Sequence, residues 1–329
     1  MIRCGGCGTD WPVVAGIPDL RLYPDPYIEV LEDREKAERL ASASDNCSPD
    51  ALIDLYFEMT PEVPPSLATS YRRGILEIGP SRAKDRLADI AGGSLLWSRR
   101  PRVLDLGCGA GAWLPELGAR AGELTGVDVA LRWLVVARKL LKHRGVGARL
   151  VCGNAEALPL SRHAFDVVIG NNLLEHTSSA SATLDEIFRV LDKDGYAYLA
   201  TPNRFSLLPE PHVGLPGLGL LPRKAADELV RRTRGVPYGG ITLRGAFEWV
   251  DLASSAGFRR VYVAPPVPGS EERAALSGPA RLASHLLSMA SRIPGGRTAL
   301  NIIGPMLEVH AFKGPNREKI PVGRAAALS

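Results

Sequence analysis

The sequence has 329 residues, is 45% apolar, and sets 40 basic against 36 acidic side chains for a net charge of +4. That length can bury a full core over one or two domains, and charges this nearly cancelled are too weak a bias to argue for duplex nucleic acid, where a concentrated basic patch is expected. The start, "MIRCGGC", lacks the basic-then-apolar plan of a secretory signal, and no apolar run reaches the roughly 18 residues of a membrane span. The five irregularly spaced cysteines do not read as a disulfide framework, so a reduced, cytoplasmic protein is expected.

In chain order, residues 1–27 form a short Gly/Pro-rich segment carrying the Cys4-x-x-Cys7 pair. Residues 28–98 read as a helical extension: "IEVLEDREKAERLA" is one charged helix, and a Ser/Asp/Pro loop holding Cys47 follows it. Further helix is interrupted by "TPEVPPS", where prolines remove backbone donors. From residue 99 the rhythm changes. "RVLDL" (102–106) is a β-rich run, with a helix expected to open near Ala110. "LTGVDV" (124–129) is a second run, and the helix after it puts Leu131, Leu134, Val135 and Leu141 on one face and ends at Gly145. "RLVCG" (149–153) and "FDVVIG" (165–170) are further strands. Leu184, Ile187, Phe188 and Leu191 mark a helix packed on a sheet, and "KDG" turns the chain into "YAYLAT" (196–201). Strands alternating with helices of this length imply parallel strands joined by right-handed crossovers.

Beyond Thr201 the segment 202–222 is apolar but dense in Pro and Gly, and a basic helix (223–235) follows; residues 202–244 read as a lid insertion. A helix near 245–256, a strand at 259–264, a helix near 279–292 and a strand at 306–312 complete the domain at residue 315, leaving a tail at 316–329.

The stretch "VLDLGCGAGAW" (103–113) fits two glycine fingerprints, one ending at Ala112 and typical of dinucleotide loops, the other formed by Gly107, Gly109 and Gly111. Its surroundings separate them. Asp105, two residues before Gly107, is badly placed for a pyrophosphate. Asp128 ends the second strand, where a carboxylate can accept two ribose hydroxyls. Asn154 and Glu156 follow the third strand, and Asn171, Asn172, Glu175 and His176 follow the fourth. Acids around the ligand suit a cation without phosphates.

In order and spacing, "VLDLGCGAG", "GVDVA", "GNAEALPL", "FDVVIGNNLLEH" and "RVLDKDGYAYLATPN" resemble the motifs of class I S-adenosylmethionine-dependent methyltransferases. The resemblance covers residues 101–203 well and the remainder to 313 loosely. It implies an α/β fold: a Rossmann-like, seven-stranded, mostly parallel sheet with the last strand antiparallel, helices on both faces, the helical N-terminal extension, and the lid after strand five. It also implies S-adenosylmethionine as cofactor. By position Asp105 would orient the methionine part; Gly107, Cys108, Gly109 and Gly111 would line it; and Asp128 would hold the ribose. Val129 would flank the adenine, Asn154 would face its amine beside Ala155 and Glu156, and Asn171 and Asn172 would close the methionine side.

The implied activity is methyl transfer to a small-molecule acceptor, first a hydroxyl of a sugar, quinone, lipid head group or secondary metabolite. His176 is the leading candidate for a base, with His212 reaching in from the lid, because an acceptor hydroxyl must lose a proton. Cys108 has no visible histidine partner as a thiol nucleophile. The start resembles the second half of a zinc-ribbon-like segment found before some bacterial methyltransferase domains. One cysteine pair cannot complete a tetrahedral site, and no metal is expected. The arginines at 223, 231, 232 and 234 suggest contact with a lipid surface or an anionic acceptor. Methylation of RNA or protein, a catalytically silent partner subunit and a dehydrogenase are the alternatives.

Overall fold

The computed structural model describes residues 1–6, 8–92 and 94–315; Cys7 and the expected tail at 316–329 lie outside the described residues. The chain starts with two small antiparallel hairpins, β1 (Ile2–Arg3) with β2 (Asp10–Trp11) and β3 (Val13–Val14) with β4 (Ile17–Pro18). Helices α1 (Val30–Ser44), α2 (Pro49–Glu58) and α3 (Pro65–Arg73) follow, and α3 runs through one π turn, Gly74–Ile78, into α4 (Gly79–Ala91). Ser48 caps α2 by accepting from Ala51 N at 3.2 Å, and prolines occupy the first turns of α2 and α3. The "TPEVPPS" stretch separates those two helices, as its lost backbone donors predict.

After α5 (Leu95–Ser98) the alternation begins: β5 (Arg102–Leu106), α6 (Leu114–Gly118), β6 (Glu123–Asp128), α7 (Leu131–Arg144), β7 (Arg149–Cys152), β8 (Phe165–Asn171), α8 (Ala180–Val190) and β9 (Leu191–Pro202). The C-terminal part adds α9 (Arg223–Arg234), α10 (Ala246–Ser255), β10 (Arg260–Ala264), α11 (Ser270–Ala275), α12 (Gly278–Ala290), α13 (Gly296–Ile303) and β11 (Met306–Phe312). Seven strands pair in the order β10-β11-β9-β8-β5-β6-β7. Strands β5 to β9 are parallel, and β11 lies antiparallel between β9 and β10, with Val309 opposite Leu199. This is the expected Rossmann-like sheet. Its order reverses between β5 and β8, so a crevice opens over their carboxyl ends, where ligands of such sheets bind.

One face of the sheet, through Val103, Val167, Ile169 and Tyr198, packs with α7, α4 and the N-terminal helices. The other, through Leu104, Val168, Leu199 and Val309, packs with α8 and α10 around Trp249. Residues 213–241 hold a small core of their own, with Val213, Leu218, Val230 and Tyr238 buried together. The lid is tied back by Asn203, whose Nδ2 donates to the carbonyls of Ile302 and Gly304 at 3.0 Å each.

Two boundaries differ from the sequence reading. The first crossover helix opens at Leu114, not Ala110, because residues 107–113 stay in turns, with Gly111 N donating to Cys108 O at 2.8 Å. Strand β9 begins at Leu191, five residues early, because an irregularity between Phe165 and Val167 of β8 lets Leu191 pair opposite Phe165. The terminal hairpins, α11 and α13 were not expected; all are short and flanked by Gly or Pro. Among the described residues no helix is long and apolar enough to cross a membrane.

Candidate functional site

The glycine loop is pinned to the neighbouring strand before it reaches the crevice. Gly107 N and Cys108 N both donate to Val127 O, at 2.8 and 3.1 Å. Gly107, Gly109 and Gly111 all have positive φ, at 73°, 49° and 81°. A Cβ at Gly107 would stand 2.9 Å from Leu173 Cδ1 and one at Gly111 would stand 3.0 Å from Ala137 Cβ, so these two glycines serve packing. A Cβ at Gly109 would meet nothing within 4 Å. The loop therefore opens toward a ligand at Gly109.

Asp128 holds that opening. Its two carboxylate oxygens accept from Gly109 N at 2.7 Å and Ala130 N at 2.8 Å. Removal from water nevertheless pushes its pKa up to about 6, against those two N–H groups. Beside it Asp105 is only 3% exposed, and burial together with the Asp128 charge lifts it to about 8.

At the carboxyl ends of β5 and β8, Asp105 Oδ2, Asn171 Oδ1 and Asn172 Oδ1 are buried without hydrogen-bond partners among the described residues. All three are acceptors. Asn172 also has φ of 52°, a left-handed conformation held by Asn172 N donating to Ala200 O at 2.8 Å. A crevice rimmed by unsatisfied acceptors and one raised carboxyl suits a ligand that brings donors and positive charge, not a pyrophosphate. The methionine ammonium and sulfonium of S-adenosylmethionine meet that demand.

The adenine side is arranged differently from the expectation. Asn154 is 2% exposed, and its Oδ1 accepts from Leu22 N at 2.8 Å while its Nδ2 donates to Tyr23 O at 3.1 Å. Glu156 accepts from Ser178 N and Oγ at 2.8 and 2.9 Å and from Tyr23 OH at 3.1 Å. Ala155 is buried, and Val129 O accepts from Arg21 at 3.0 Å. These residues do gather in one place, but their polar groups face residues 21–23 of the N-terminal segment.

A buried charge network holds that segment. Arg21 reaches Asp19 at 2.8 Å and Asp33 at 2.6 Å, and Arg132 reaches Asp25 at 2.9 Å and Asp33 at 2.8 Å. Asp33 also accepts from Leu131 N at 2.9 Å, at the start of α7. Leu20 N donates to Cys152 O at 2.8 Å, so the segment covers the open edge of β7. Sequence reasoning passed over this strap. Its only signal was the alternation of Asp19, Arg21 and Asp25 in a loop.

Cys108 is buried with its Sγ 3.0 Å from where a Cβ on Gly126 would stand, and burial lifts the thiol well above its ordinary range. It is a packing residue lining the loop, not a thiolate.

A second polar group lies beyond the carboxyl ends of β8 and β9. Glu175 and His176 sit on a short 3-10 turn, Leu174–His176, and His212 comes down from the lid. His176 Nε2 and His212 Nε2 are 3.0 Å apart. The outer nitrogens are held too: His176 Nδ1 meets Tyr27 OH at 3.1 Å, and His212 Nδ1 meets Glu210 Oε1 at 2.5 Å. Glu175 is fully buried; its Oε2 accepts from Thr201 Oγ1 at 3.0 Å, while its Oε1 has no hydrogen-bond partner among the described residues and lies 3.7 Å from His212 Nε2.

Burial, with the His212 charge beside it, drops His176 to about 3; burial lifts Glu175 to about 7 against the pull of His212 and Thr201. Burial also opposes charge on His212, yet the Glu210 hydrogen bond and charge raise it. The two expected histidines are therefore brought together, and the better proton acceptor is His212. Glu210 and Tyr27 were missed, because their partners lie 2 and 149 residues away and carry no shared spacing.

The lid arginines are mostly spent internally. Arg231 pairs with Asp227 at 2.7 Å and Arg232 with Glu228 at 2.6 Å, while Arg223 and Arg234 donate to carbonyls of Gly239 and Val213.

A Rossmann-like sheet with a glycine loop and unpartnered acceptors at its switch point defines a class of nucleotide- and cofactor-dependent proteins. The methyltransferase-domain family matches residues 104–199. The chain is 31% identical over 169 residues to the ubiquinone biosynthesis O-methyltransferase of Aromatoleum aromaticum, covering 48% of this chain and 67% of that protein. It is 34% identical over 119 residues to the demethylmenaquinone methyltransferase of Lactococcus lactis, covering 35% and 44%. Among solved structures, an S-adenosylmethionine-dependent methyltransferase from Mesorhizobium loti aligns at 18% identity and TM-score 0.47, covering 67% of this chain and 98% of that one. The chain belongs to the S-adenosylmethionine-dependent methyltransferases. It spans from 20% of the bifunctional biotin biosynthesis protein of Cellvibrio japonicus to the 67% just given for the curated relatives it matches.

Proposed function

We propose that the protein methylates a hydroxyl of a small, largely apolar acceptor of the quinol or phenol class. The observation that carries this reading is the histidine pair under the lid, with His212 made basic by Glu210 and placed beyond the acceptor-lined crevice. S-adenosylmethionine supplies the methyl group: its carbon–sulfur bond breaks as the oxygen–carbon bond forms, a neutral thioether leaves, and the acceptor's proton remains for the protein to take. His212 takes that proton, because the Glu210 carboxylate stabilises the resulting imidazolium and the neutral His176 does not compete for it. Asp128 orients the ribose, while Asp105, Asn171 and Asn172 hold the methionine end, so that alignment supplies much of the rate. The matched O-methyltransferase of ubiquinone biosynthesis supports an oxygen acceptor. The exposed apolar lid residues Phe205, Leu207 and Leu208 support an apolar one.

The test is transfer of labelled methyl from S-adenosylmethionine to a panel of dihydroxy-aromatic and quinol compounds, set against bulk transfer RNA and denatured protein. Methylation of a phenolic oxygen supports the reading; label appearing only in RNA or protein overturns it.

A further inference from the structure

Glu175, His176 and His212 form a group whose ligand atoms lie within 4.8 Å of one another. The histidines can satisfy each other by sharing one proton. Glu175 Oε1 is buried, has no hydrogen-bond partner among the described residues, and lies 3.7 Å from His212 Nε2. A lone pair facing into such a cluster calls for a cation at its centre. From these three atoms we propose that the protein binds a divalent first-row metal ion, Zn²⁺ or a near relative, through Glu175 Oε1, His176 Nε2 and His212 Nε2.

Three features of the geometry support the assignment. Ligands placed tetrahedrally at about 2.0–2.1 Å from zinc lie roughly 3.4 Å from each other. Two of the three separations, 3.0 Å between the ring nitrogens and 3.7 Å between His212 Nε2 and Glu175 Oε1, bracket that value, and all three atoms lie within 4.8 Å of one another. Both rings also have their other nitrogen fixed from outside, His212 by the Glu210 carboxylate and His176 by Tyr27 OH. With a proton on each Nδ1, both Nε2 lone pairs are free to bind an ion, and an outside partner on the other nitrogen is how proteins fix ligating imidazoles. Two imidazoles with a single carboxylate favour a borderline ion such as Zn²⁺, Co²⁺ or Fe²⁺ over Mg²⁺ or Ca²⁺, which take oxygen ligands.

Three protein ligands leave a position open, as catalytic sites do. An acceptor hydroxyl reaching that position would be held and acidified by the ion and would release its proton to solvent, and His212, as a ligand, would then position the ion instead of serving as the base. The site also joins two parts of the chain. His212 belongs to the lid, Glu175 and His176 to the loop after β8, and Thr242 N already donates to Glu175 O at 2.8 Å across the same seam. Bound metal would staple the lid to the sheet.

The metal reading uses the same side chains as the proposed function but stands without it, since it can be read from metal content alone. The full-length protein is stripped with a chelator and titrated with Zn²⁺ against a chromophoric competitor, and with Co²⁺ by its visible absorption. One equivalent should bind the native protein. His212→Ala should lose it, and Glu210→Gln should bind it roughly 10–100-fold more weakly. Cys4→Ala, at the only part of the cysteine pair within the described residues, should leave it unchanged. S-Adenosylhomocysteine binding by each variant shows that its fold is intact, and Glu210→Gln reads the site even where His212→Ala fails to fold. Failure of the native protein to take up zinc, or uptake that survives in His212→Ala and vanishes in Cys4→Ala, overturns the assignment. Zinc uptake without any methylation would sink the proposed reaction and leave the metal site standing.

Discussion

The two ends of the crevice are built on opposite plans. The cofactor end is made of backbone and short side chains supplied within a few residues of each strand end: Asp105 and Gly109 from one loop, Asp128 from the next, Asn171 and Asn172 from a third. The acceptor end is made of long side chains from distant segments, Tyr27 from the strap, Glu175 and His176 from the loop after β8, and Glu210 and His212 from the lid. The first end is fixed once the sheet forms. The second exists only when strap and lid are in place, so its chemistry depends on packing far from the strands.

If that division is right, the two ends can be broken separately. The largest effect should come from His212→Ala, with methyl transfer falling by roughly 10²–10⁴ in kcat while S-adenosylhomocysteine affinity stays within a fewfold. Equal losses in both would show that the histidine supports the whole crevice rather than its acceptor end. Asp128→Ala is the converse. It removes a carboxylate that braces Gly109 N and Ala130 N and leaves the acceptor side chains untouched. Calorimetry should show S-adenosylhomocysteine binding weakened by about 10²-fold, the order expected from losing hydrogen bonds to a charged group.

The same contrast explains what could be read from the sequence. The strand ends carry their pattern in consecutive residues, so "VLDLGCGAG" and "GVDV" disclosed the fold and the placing of Gly109 beside Asp128, which are hydrogen-bonded at the switch point. His176 was legible as the residue after β8, and His212 only as a histidine in a Pro/Gly-rich insertion. Their 3.0 Å contact was not, because they stand 36 positions apart, across α8, β9 and the start of the lid, and no periodicity reports how an irregular segment folds back. Asn154 shows the opposite limit. It follows β7 as expected, but its amide meets a segment more than 130 residues earlier in the chain. Motif reading assigns a residue to a place; it does not say what else arrives there.

The strap offers a test of intermediate size. Asp33 is fully buried and accepts from Arg21, Arg132 and the start of α7. Asp33→Ala leaves two buried guanidinium groups short of a partner, which should cost about 3–5 kcal/mol in urea unfolding, since breaking a buried charge network is far costlier than losing a surface pair. A loss below about 1 kcal/mol would mean that the strap detaches and its arginines find water. In that case Asn154 would also be released toward the crevice, and cofactor affinity should rise.

The smallest effect concerns a single proton. Asp105 has its folded pKa raised from 3.8 to about 8 by burial and by Asp128. A carboxyl raised in this way favours the folded state most below 3.8, and the contribution is lost as pH climbs from there through about 8. Asp105→Asn should therefore flatten the stability profile over that window and be the more stable protein at its upper end. Ligand binding runs the same linkage backwards. A cationic methionine end beside Asp105 favours the carboxylate, so at pH 7 the bound protein should release up to about one proton. Titration with S-adenosylmethionine in buffers of different ionisation enthalpy measures that release directly, and Asp105→Asn should abolish it. Binding with no net proton release would place the positive charge away from Asp105, toward the unpartnered oxygens of Asn171 and Asn172.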